Sequence, residues 1–302
     1  MSPSISIIIA STCSTARHER IRRAVRSVLA QRIPLELIVV ANGAHIAQPV
    51  LDELGATPGV RVLRQAEGHV SRARLAGLRV ARSKFLCFMD DDDELLPGAL
   101  ERRLQQLDSG VDVLATNGWI RVKQDELMID PAVAARIEGD PMGTFLEQNW
   151  FASTGPVFSA ARVDPAWFDM DRRYFEWTLL FFRLFAAGAR IRFDPEPSFR
   201  KFEDEQDSVS ASTAYADAHV AHLEELLGSP ALMQRLTPAH HSQLRSRLIK
   251  ALNQQVVSEL ARGRRLSAWR VHLRCLGLGG LAYLPFTRKL LLRRRPANAE
   301  AP

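Results

Sequence analysis

Four consecutive aspartates at the end of an apolar segment constrain this chain more than any other feature. Asp90, Asp91, Asp92 and Asp93 follow residues 84–89, whose composition indicates a buried strand. Alternate residues of an extended chain point the same way, so we expect Asp90 and Asp92 to converge on one point. Two carboxylates, with phosphate oxygens and water, suit a hard divalent cation such as Mg²⁺ or Mn²⁺. The alternative is a solvated acidic loop that caps a helix beginning near Glu94.

Strand and helix patterns alternate along the first 108 residues, which predicts a parallel, doubly wound sheet. The predicted strands are 5–10, 35–40, 60–63 and 84–89, and the predicted helices are 19–31, 49–54 and 71–82. Ligands of such sheets bind beyond the carboxyl ends of the strands. Residues 11–15, the turn at Asn42 and Gly43, and the four aspartates all lie at those ends. Segments remote in sequence are therefore expected to share one crevice.

After residue 108 the alternation of strands and helices becomes less regular, and the end of the chain is helical only. Strands are predicted at 111–116, 119–122 and 190–193, and helices at 142–150 and 176–187. From residue 215 onward the pattern is helical throughout. We therefore predict a catalytic α/β domain over residues 1–212 and a basic helical region over residues 213–302.

Composition and cysteine usage indicate a globular protein of a reducing compartment. Of the 302 residues, 46% are hydrophobic and 25% are charged, which is ordinary for a chain that buries a core. Cys13, Cys87 and Cys275 are too few and too widely spaced for a disulfide framework or a metal-ligand pair. No signal peptide is evident, and the apolar run 275–287 is shorter than the roughly twenty residues of a membrane span. We expect a cytoplasmic protein.

The C-terminal region is basic in its own right. Residues 260–295 contain ten Arg or Lys and no Asp or Glu, interleaved with leucine and aromatic side chains. Basic amphipathic helices of this kind bind anionic membrane surfaces. The alternative is a helical cap with a solvated basic face. Nucleic acid is not an expected partner, because no recognised binding module accompanies the charge.

The chain resembles a family 2 glycosyltransferase of the GT-A fold over roughly residues 5–210. Each motif is weak alone, but six occur in the family's order. They are Ile8-Ile-Ala-Ser11, Arg26-Ser-Val-Leu-Ala-Gln31, Glu36-Leu-Ile-Val-Val-Ala-Asn-Gly43, Gly68…Ala73-Arg74…Gly77-Leu78…Ala81, Phe88-Met-Asp-Asp-Asp-Asp-Glu94…Pro97 and Glu176…Leu180…Arg183-Leu184…Gly188. The resemblance implies an α/β fold with a Rossmann-like, doubly wound mixed sheet and a C-terminal helical extension.

The resemblance also implies a role for each matching residue. The loop at residues 11–14 and Asn42 would hold the nucleotide base and ribose, and Arg74 would lie near the donor's phosphates, although a surface helix charge is the alternative. Asp93 would support the acidic pair. The implied donor-binding residues are Ser11, Cys13, Asn42, Arg74, Asp90 and Asp91, and the implied ligands of Mg²⁺ or Mn²⁺ are Asp90 and Asp92.

Glu176 is the predicted catalytic base, although the sequence departs from the family there. The family's helix usually reads Glu-Asp, whereas this chain has Glu176 and Trp177. Glu176 would remove the proton of the acceptor hydroxyl. The alternative is that it only caps its helix, near the N-terminus where negative charge is favoured.

Further departures from the family's pattern put other contacts in doubt. Ala41 stands where the family commonly has an acid, and Leu75 where an asparagine often follows the arginine. A histidine that often joins the metal site is missing, and Asp204 occupies about its position.

The implied function is transfer of a sugar from a nucleotide-sugar donor to a saccharide or lipid-linked acceptor hydroxyl. The reaction would be inverting and dependent on a divalent cation, in cell-surface polysaccharide or lipopolysaccharide synthesis at the inner face of the plasma membrane. One alternative is a non-catalytic family member that acts at a membrane surface or in a complex. A sugar-1-phosphate nucleotidyltransferase is a further alternative, but residues 11–17 lack the Gly and Lys of its phosphate loop.

Overall fold

The computed structural model describes residues 4–107, 110–162, 164–169, 172, 174–203 and 213–291. Asp204, which the sequence places near the missing histidine, lies outside the described residues. The chain divides into two compact units, Met1–Ser208 and Val209–Pro302. Each unit is described by itself.

A seven-stranded mixed sheet forms the centre of the first unit. Its strand order is β10-β6-β9-β4-β1-β2-β3. Strands β4, β1, β2 and β3 are parallel to one another, whereas β9 runs antiparallel to both β4 and β6. The strands are β1 (Ile5–Ser11), β2 (Leu35–Asn42), β3 (Val60–Gln65), β4 (Phe85–Asp90), β6 (Val113–Thr116), β9 (Val157–Ser159) and β10 (Ile191–Asp194).

A second, four-stranded sheet has the order β5-β11-β7-β8. Strand β11 pairs antiparallel with β5 and parallel with β7. These strands are β5 (Glu94–Leu95), β7 (Trp119–Arg121), β8 (Asp125–Leu127) and β11 (Phe199–Phe202). Because β5 follows the aspartates directly, this sheet anchors the chain where it leaves them.

The helices of the first unit connect the strands. They are α1 (His18–Leu29), α2 (Gln48–Ala56), α3 (Val70–Val80), α4 (Ala99–Gln106), α5 (Pro131–Ala134), α6 (Pro141–Glu147) and α7 (Glu176–Ala186). Single 3-10 turns lie at Thr15–Arg17 and Pro165–Phe168. Helix α1 matches the predicted helix 19–31 to within two residues at each end, and it buries Ile21, Ala24, Val25 and Val28, whereas Leu29 is 36% exposed.

The expected helix start near Glu94 is wrong. Glu94 and Leu95 form strand β5, because they pair with Arg200 and Phe199 of β11. Helix α4 begins only at Ala99, after Gly98 adopts a left-handed backbone with a φ of 71°. The aspartates therefore do not cap a helix.

Close packing of α3 on the sheet depends on one glycine. A Cβ atom added at Gly77 would overlap the Cγ2 methyl of Ile8, whose side chain is fully buried in β1. Glycine lets the α3 backbone approach the sheet, and α3 carries Arg74 to the end of β4.

The second unit is helical. Its elements are α8 (Thr213–Leu227), α9 (Pro230–Met233), α10 (Pro238–Ala261), α11 (Arg265–Gly279), a 3-10 segment at Gly280–Thr287 and α12 (Arg288–Leu291). Helix α10 packs against both α8 and α11. It buries Leu244, Leu248, Leu252 and Val256, one residue per turn. Over the described residues, the helices are too short or too polar to span a bilayer.

Candidate active site

The four aspartates form a tight turn at the carboxyl end of β4. The strand ends at Asp90, and the backbone N–H of Asp93 donates to the carbonyl of Asp90 over 3.3 Å. The extended backbone expected for Asp90 and Asp92 is therefore wrong beyond Asp90. Asp91 and Asp93 are only 5% and 1% exposed, so the alternative of a solvated acidic loop is also wrong for these two. The side chains of Asp90 and Asp92 stay about one-third exposed.

Asp90 is held from two sides. The Arg74 Nη2 atom donates to its Oδ1 over 2.7 Å, and the Ser153 hydroxyl donates to its Oδ2 over 2.5 Å. Arg74 comes from α3 and Ser153 from the loop before β9. The side chain of Arg74 is only 9% exposed, so its alternative as a surface helix charge is wrong.

Asp91 joins the ends of β1 and β2 to the aspartate turn. The Ser11 hydroxyl donates to its Oδ2 over 2.5 Å, and the Arg17 guanidinium contacts its Oδ1. The Asn42 amide in turn donates to the backbone carbonyl of Ser11 over 3.0 Å. Burial raises the pKa of Asp91, and Arg17 opposes that rise. The ends of β1, β2 and β4 thus bring their polar side chains together, and these buried groups hydrogen-bond to one another.

Cys13 shapes the loop after β1 through its backbone. Its φ of 45° is unusual for a residue other than glycine. Its N–H donates to the Ser11 hydroxyl, and its carbonyl accepts from Ala47. Burial raises the pKa of the Cys13 thiol to about 11, so the thiol stays protonated in the core. Cys13 is fully buried and both of its backbone groups have partners within the protein, so its implied contact with a donor stays a prediction.

Asp93 depends on a buried arginine that the sequence analysis missed. The Thr154 hydroxyl donates to Asp93, and the carbonyl of Thr154 accepts from Arg103 over 3.0 Å. Arg103 is fully buried and also donates to Ser198 and Cys87. Burial lowers the pKa of Arg103, while for Asp93 burial and repulsion from Asp90 raise the pKa well above its usual range.

Arginines from the 3-10 turn Thr15–Arg17 and from the first half of α1 surround Asp92. The Arg17 Nη1 atom lies 3.1 Å from its Oδ2, and the Arg20 Nη1 atom lies 4.0 Å away. Arg23 donates to the backbone carbonyl of Asp92 over 2.7 Å. On the opposite side, Lys201 of β11 lies within electrostatic reach of Asp90 and Asp93. Its own burial lowers its pKa, but these carboxylates and Glu203 raise it more.

Glu176 begins α7 and lies in the same network. Its Oε1 accepts from Arg74 over 3.4 Å, so Arg74 connects Glu176 to Asp90. The preceding residue, Phe175, has a φ of 61°, and this backbone turns the start of α7. Burial raises the pKa of Glu176, and Arg74 opposes that rise. A small pocket borders this carboxylate and is lined by Ser71, Arg74, Phe168, Glu176, Trp177 and Leu180.

Trp177 fills the position of the family's second acid with an aromatic ring. The Arg74 guanidinium lies 4.9 Å above its ring centroid, and Phe88 packs against its edge. A cation over an indole face is attracted by the ring's negative charge density. Trp177 thus supports Arg74 without adding a carboxylate.

The donor set at Asp90 and Asp92 suits a divalent cation, although the described residues contain no cluster of three His, Cys, Asp or Glu side chains. Mg²⁺ is commonly held by one or two carboxylates together with phosphate oxygens and water. Asp90 and Asp92 supply such oxygens, and both are partly exposed. The residues present therefore fit a cation that arrives with a diphosphate.

Sequence reasoning found the acidic turn but not most of its partners. Arg17, Arg103 and Thr154 lie at positions where the sequence shows only a helix start, a charged helix and a loop. The hydroxyl groups of Ser153 and Thr154 donate to Asp90 and Asp93, contacts that no local sequence pattern indicates. A signal for Arg103 exists only in hindsight, because the spacing of α4 places it on the same face as Ala99 and Leu100.

Comparison with known proteins assigns the chain to one family. The model described as Glycosyl transferase family 2 matches residues 6–160. The succinoglycan biosynthesis protein ExoO of Rhizobium meliloti (strain 1021) is 25% identical over 259 residues, which cover 80% of this chain and 73% of ExoO. The putative glycosyltransferase EpsH of Bacillus subtilis (strain 168) is 23% identical over 235 residues, which cover 75% of this chain and 62% of EpsH.

Solved structures show the fold independently. The crystal structure of S. aureus TarS 1-349 in complex with UDP-GlcNAc matches with a TM-score of 0.58 at 13% identity, over 95% of this chain and 84% of that chain. The same TarS fragment in complex with UDP matches with a TM-score of 0.52 at 15% identity, over 88% of this chain and 75% of that chain. The predicted GT-A fold with a doubly wound mixed sheet is confirmed.

Removing the buried charge of Asp93 should change how stability depends on pH. An unfolded Asp ionises near pH ~4. The folded state holds the pKa of Asp93 well above that value, so it binds more protons than the unfolded state, and the free energy of unfolding falls as pH rises. We expect Asp93→Asn to be more stable than the parent at pH 8 and equal to it near pH 4, measured by urea unfolding.

Asp112→Asn is the control of opposite sign. Burial raises the pKa of Asp112, but hydrogen bonds from the Arg190 backbone and the Arg162 side chain outweigh it and lower the pKa below its usual range. This variant should lose stability at neutral pH, and the loss should shrink as pH falls through the acidic range. An Asp93→Asn profile parallel to that of the parent would contradict the account of a carboxyl held protonated by burial.

Proposed function

Since the chain belongs to glycosyltransferase family 2 and is a nucleotide-sugar-dependent transferase, we propose that it passes a sugar from a nucleoside-diphosphate donor to an acceptor hydroxyl with inversion. The observation that carries the proposal is the turn of four aspartates at the end of β4, bonded to Ser11, Arg74 and Ser153. The relatives named for succinoglycan biosynthesis and as a glycosyltransferase support a role in cell-surface polysaccharide or lipopolysaccharide synthesis.

The donor would lie across the carboxyl ends of β1, β2 and β4. Ser11, the Cys13 backbone and Asn42 line the edge proposed for the base and ribose, with Asp90 and Asp91 beside them. The TarS structure in complex with UDP-GlcNAc supports a uridine diphosphate donor as the first one to test. Arg74 would stabilise negative charge on the diphosphate from below.

Asp92 and Asp90 would hold Mg²⁺ or Mn²⁺ together with the diphosphate. When bound, such a cation neutralises charge on the leaving diphosphate as a Lewis acid. The protein's own contribution is to orient both carboxylates. Arg17 pairs with Asp92, Arg74 pairs with Asp90, and the Ser153 hydroxyl fixes the rotation of Asp90.

Glu176 would remove the proton from the acceptor hydroxyl as the sugar is transferred. Its carboxylate borders a pocket, it lies one arginine away from Asp90, and its raised pKa makes it a stronger proton acceptor than an ordinary glutamate. Trp177 carries no acid, so Glu176 is the carboxylate of this helix start.

The second unit would bring the enzyme to an anionic membrane surface, where a lipid-linked acceptor resides. Helix α11 buries Ala268, His272 and Cys275 on one face. Its other face exposes Leu266 (79%) and Leu273 (59%), at a spacing of two turns. These leucines are interleaved with arginines, and no acid occurs between residues 260 and 295. Apolar insertion and attraction to anionic lipids would act together.

Replacing Glu176 by glutamine tests the proposed base. Glu176→Gln keeps the shape of the side chain but cannot accept the proton, so turnover should fall by about 10²- to 10⁴-fold. Donor affinity should change by less than about threefold, because the carboxylate is proposed to act on the acceptor. Hydrolysis of the donor, in which water replaces the acceptor hydroxyl, gives a readout as released nucleoside diphosphate.

Glu147→Gln is the matched control, since Glu147 forms an exposed ion pair with Arg136 away from the aspartates. Its turnover should equal that of the parent. A Glu176→Gln variant that is folded and turns over at the parent rate would remove Glu176 from the base role.

Membrane binding is tested with vesicles of phosphatidylcholine, with and without phosphatidylglycerol. The parent should sediment with the anionic vesicles and be released by salt. Replacing Leu266 and Leu273 together by serine should weaken binding by about an order of magnitude. Val122→Ser, at a residue of the first unit that is 50% exposed, should bind like the parent. A parent protein that does not sediment with the anionic vesicles would contradict the proposal.

A further inference from the structure

The guanidinium of Arg17 lies between the carboxylates of Asp91 and Asp92. Its Nη1 atom contacts Asp91 and lies 3.1 Å from the Oδ2 atom of Asp92. The side chain of Asp92 is 29% exposed, and Asp92 is one of the two proposed ligands of the cation. One guanidinium nitrogen is thus shared between a buried carboxylate and an exposed one.

The position of Arg17 at the N-terminal end of α1 is unusual for a basic residue. It is the residue that precedes α1, where the helix dipole is positive and a basic side chain is unfavourable. Arg20 follows one turn later, and its Nη1 atom lies 4.0 Å from Asp92. A cation persists at such a position when an anion compensates it. Asp91 and Asp92 supply that anion here.

Arg17 and Arg74 differ in their freedom to move. The side chain of Arg74 is 9% exposed and pairs with Asp90 and Glu176 over the ring of Trp177. The side chain of Arg17 is 33% exposed. Arg74 is therefore a fixed part of the site, whereas Arg17 can exchange the partly exposed Asp92 for another anion while it keeps its contact with the buried Asp91.

We propose that Arg17 is an exchangeable counter-ion, which pairs with Asp91 and Asp92 in the free enzyme and exchanges Asp92 for the diphosphate, while keeping Asp91, when the donor binds. The guanidinium fork matches two phosphate oxygens as well as it matches carboxylates. A divalent cation and Arg17 then compete for the Asp92 carboxylate. The donor relieves this competition because its diphosphate replaces Asp92 as a partner of Arg17. This inference rests on the proposed donor and metal binding.

The competition predicts opposite effects of one substitution on two ligands. Arg17→Met removes the charge but keeps most of the side-chain length. Asp92 loses its competing cation, so the affinity for Mn²⁺ alone should rise by about two- to fivefold, the range of a partly exposed ion pair. The affinity for inorganic pyrophosphate in the presence of a chelator should fall by at least a similar factor.

Arg22, in the first half of α1, provides a matched control. Its side chain is also 33% exposed, and it pairs with Glu19 and Glu53 instead of the aspartates. Arg22→Met should leave both affinities unchanged. Arg17→Lys keeps the charge without the planar fork, so it should give values between those of the parent and Arg17→Met. Manganese binding is read by electron paramagnetic resonance and pyrophosphate binding by thermal shift.

Two results would overturn the inference. The first is an Arg17→Met variant that is folded and binds Mn²⁺ no more tightly than the parent. The second is an unchanged affinity for pyrophosphate. If either occurs while the parent still binds and turns over its donor, the role of Arg17 fails and the proposed function stands. A parent that turns over no donor would count against the proposed function instead.

Discussion

The site depends on keeping four adjacent carboxylates at the end of a single buried strand. Like charges this close repel one another, and burial raises the pKa of Asp91 and Asp93 further. The protein answers with cations and hydroxyl groups from elements far apart in sequence. Arg17 comes from the start of α1, Arg74 from α3 and Thr154 from the loop before β9. The fold brings these segments together so that the aspartate turn can exist.

The support is layered, and each layer has its own energetic role. Hydroxyl groups bond the carboxylates directly, and the fully buried Arg103 holds the carbonyl of Thr154 behind them. Within the described residues, Arg103 donates to Ser198, Cys87 and Thr154, none of which is a carboxylate, and burying a charge in this way costs free energy. Arg103 fixes the loop that carries Ser153 and Thr154, and these two residues orient Asp90 and Asp93. The free-energy cost of burying Arg103 thus lies behind the site, while Asp90 and Asp92 remain available to ligands.

Sequence patterns predicted the parts of the fold that depend on local periodicity. The four parallel strands, the buried face of α1 and the position of the aspartates beyond β4 follow from apolar spacing alone. The helix expected near Glu94 was wrong, because pairing of Leu95 with Phe199 is a contact between residues more than one hundred positions apart. Arg17 and Arg103 were missed for the same reason. An arginine on a helix looks alike in sequence whether it faces water or a carboxylate turn.

The central claim is that the aspartate turn binds a nucleotide sugar together with a divalent cation. The most direct test is a thermal-shift panel of UDP-, GDP- and dTDP-sugars, each with and without Mn²⁺, on the parent and on Asp92→Asn. A ligand that binds only the folded state raises the melting temperature by mass action. The account predicts that one donor stabilises the parent more with Mn²⁺ than without, and that Asp92→Asn loses the metal-dependent part. A folded parent whose melting temperature no donor raises, with or without Mn²⁺, would contradict it.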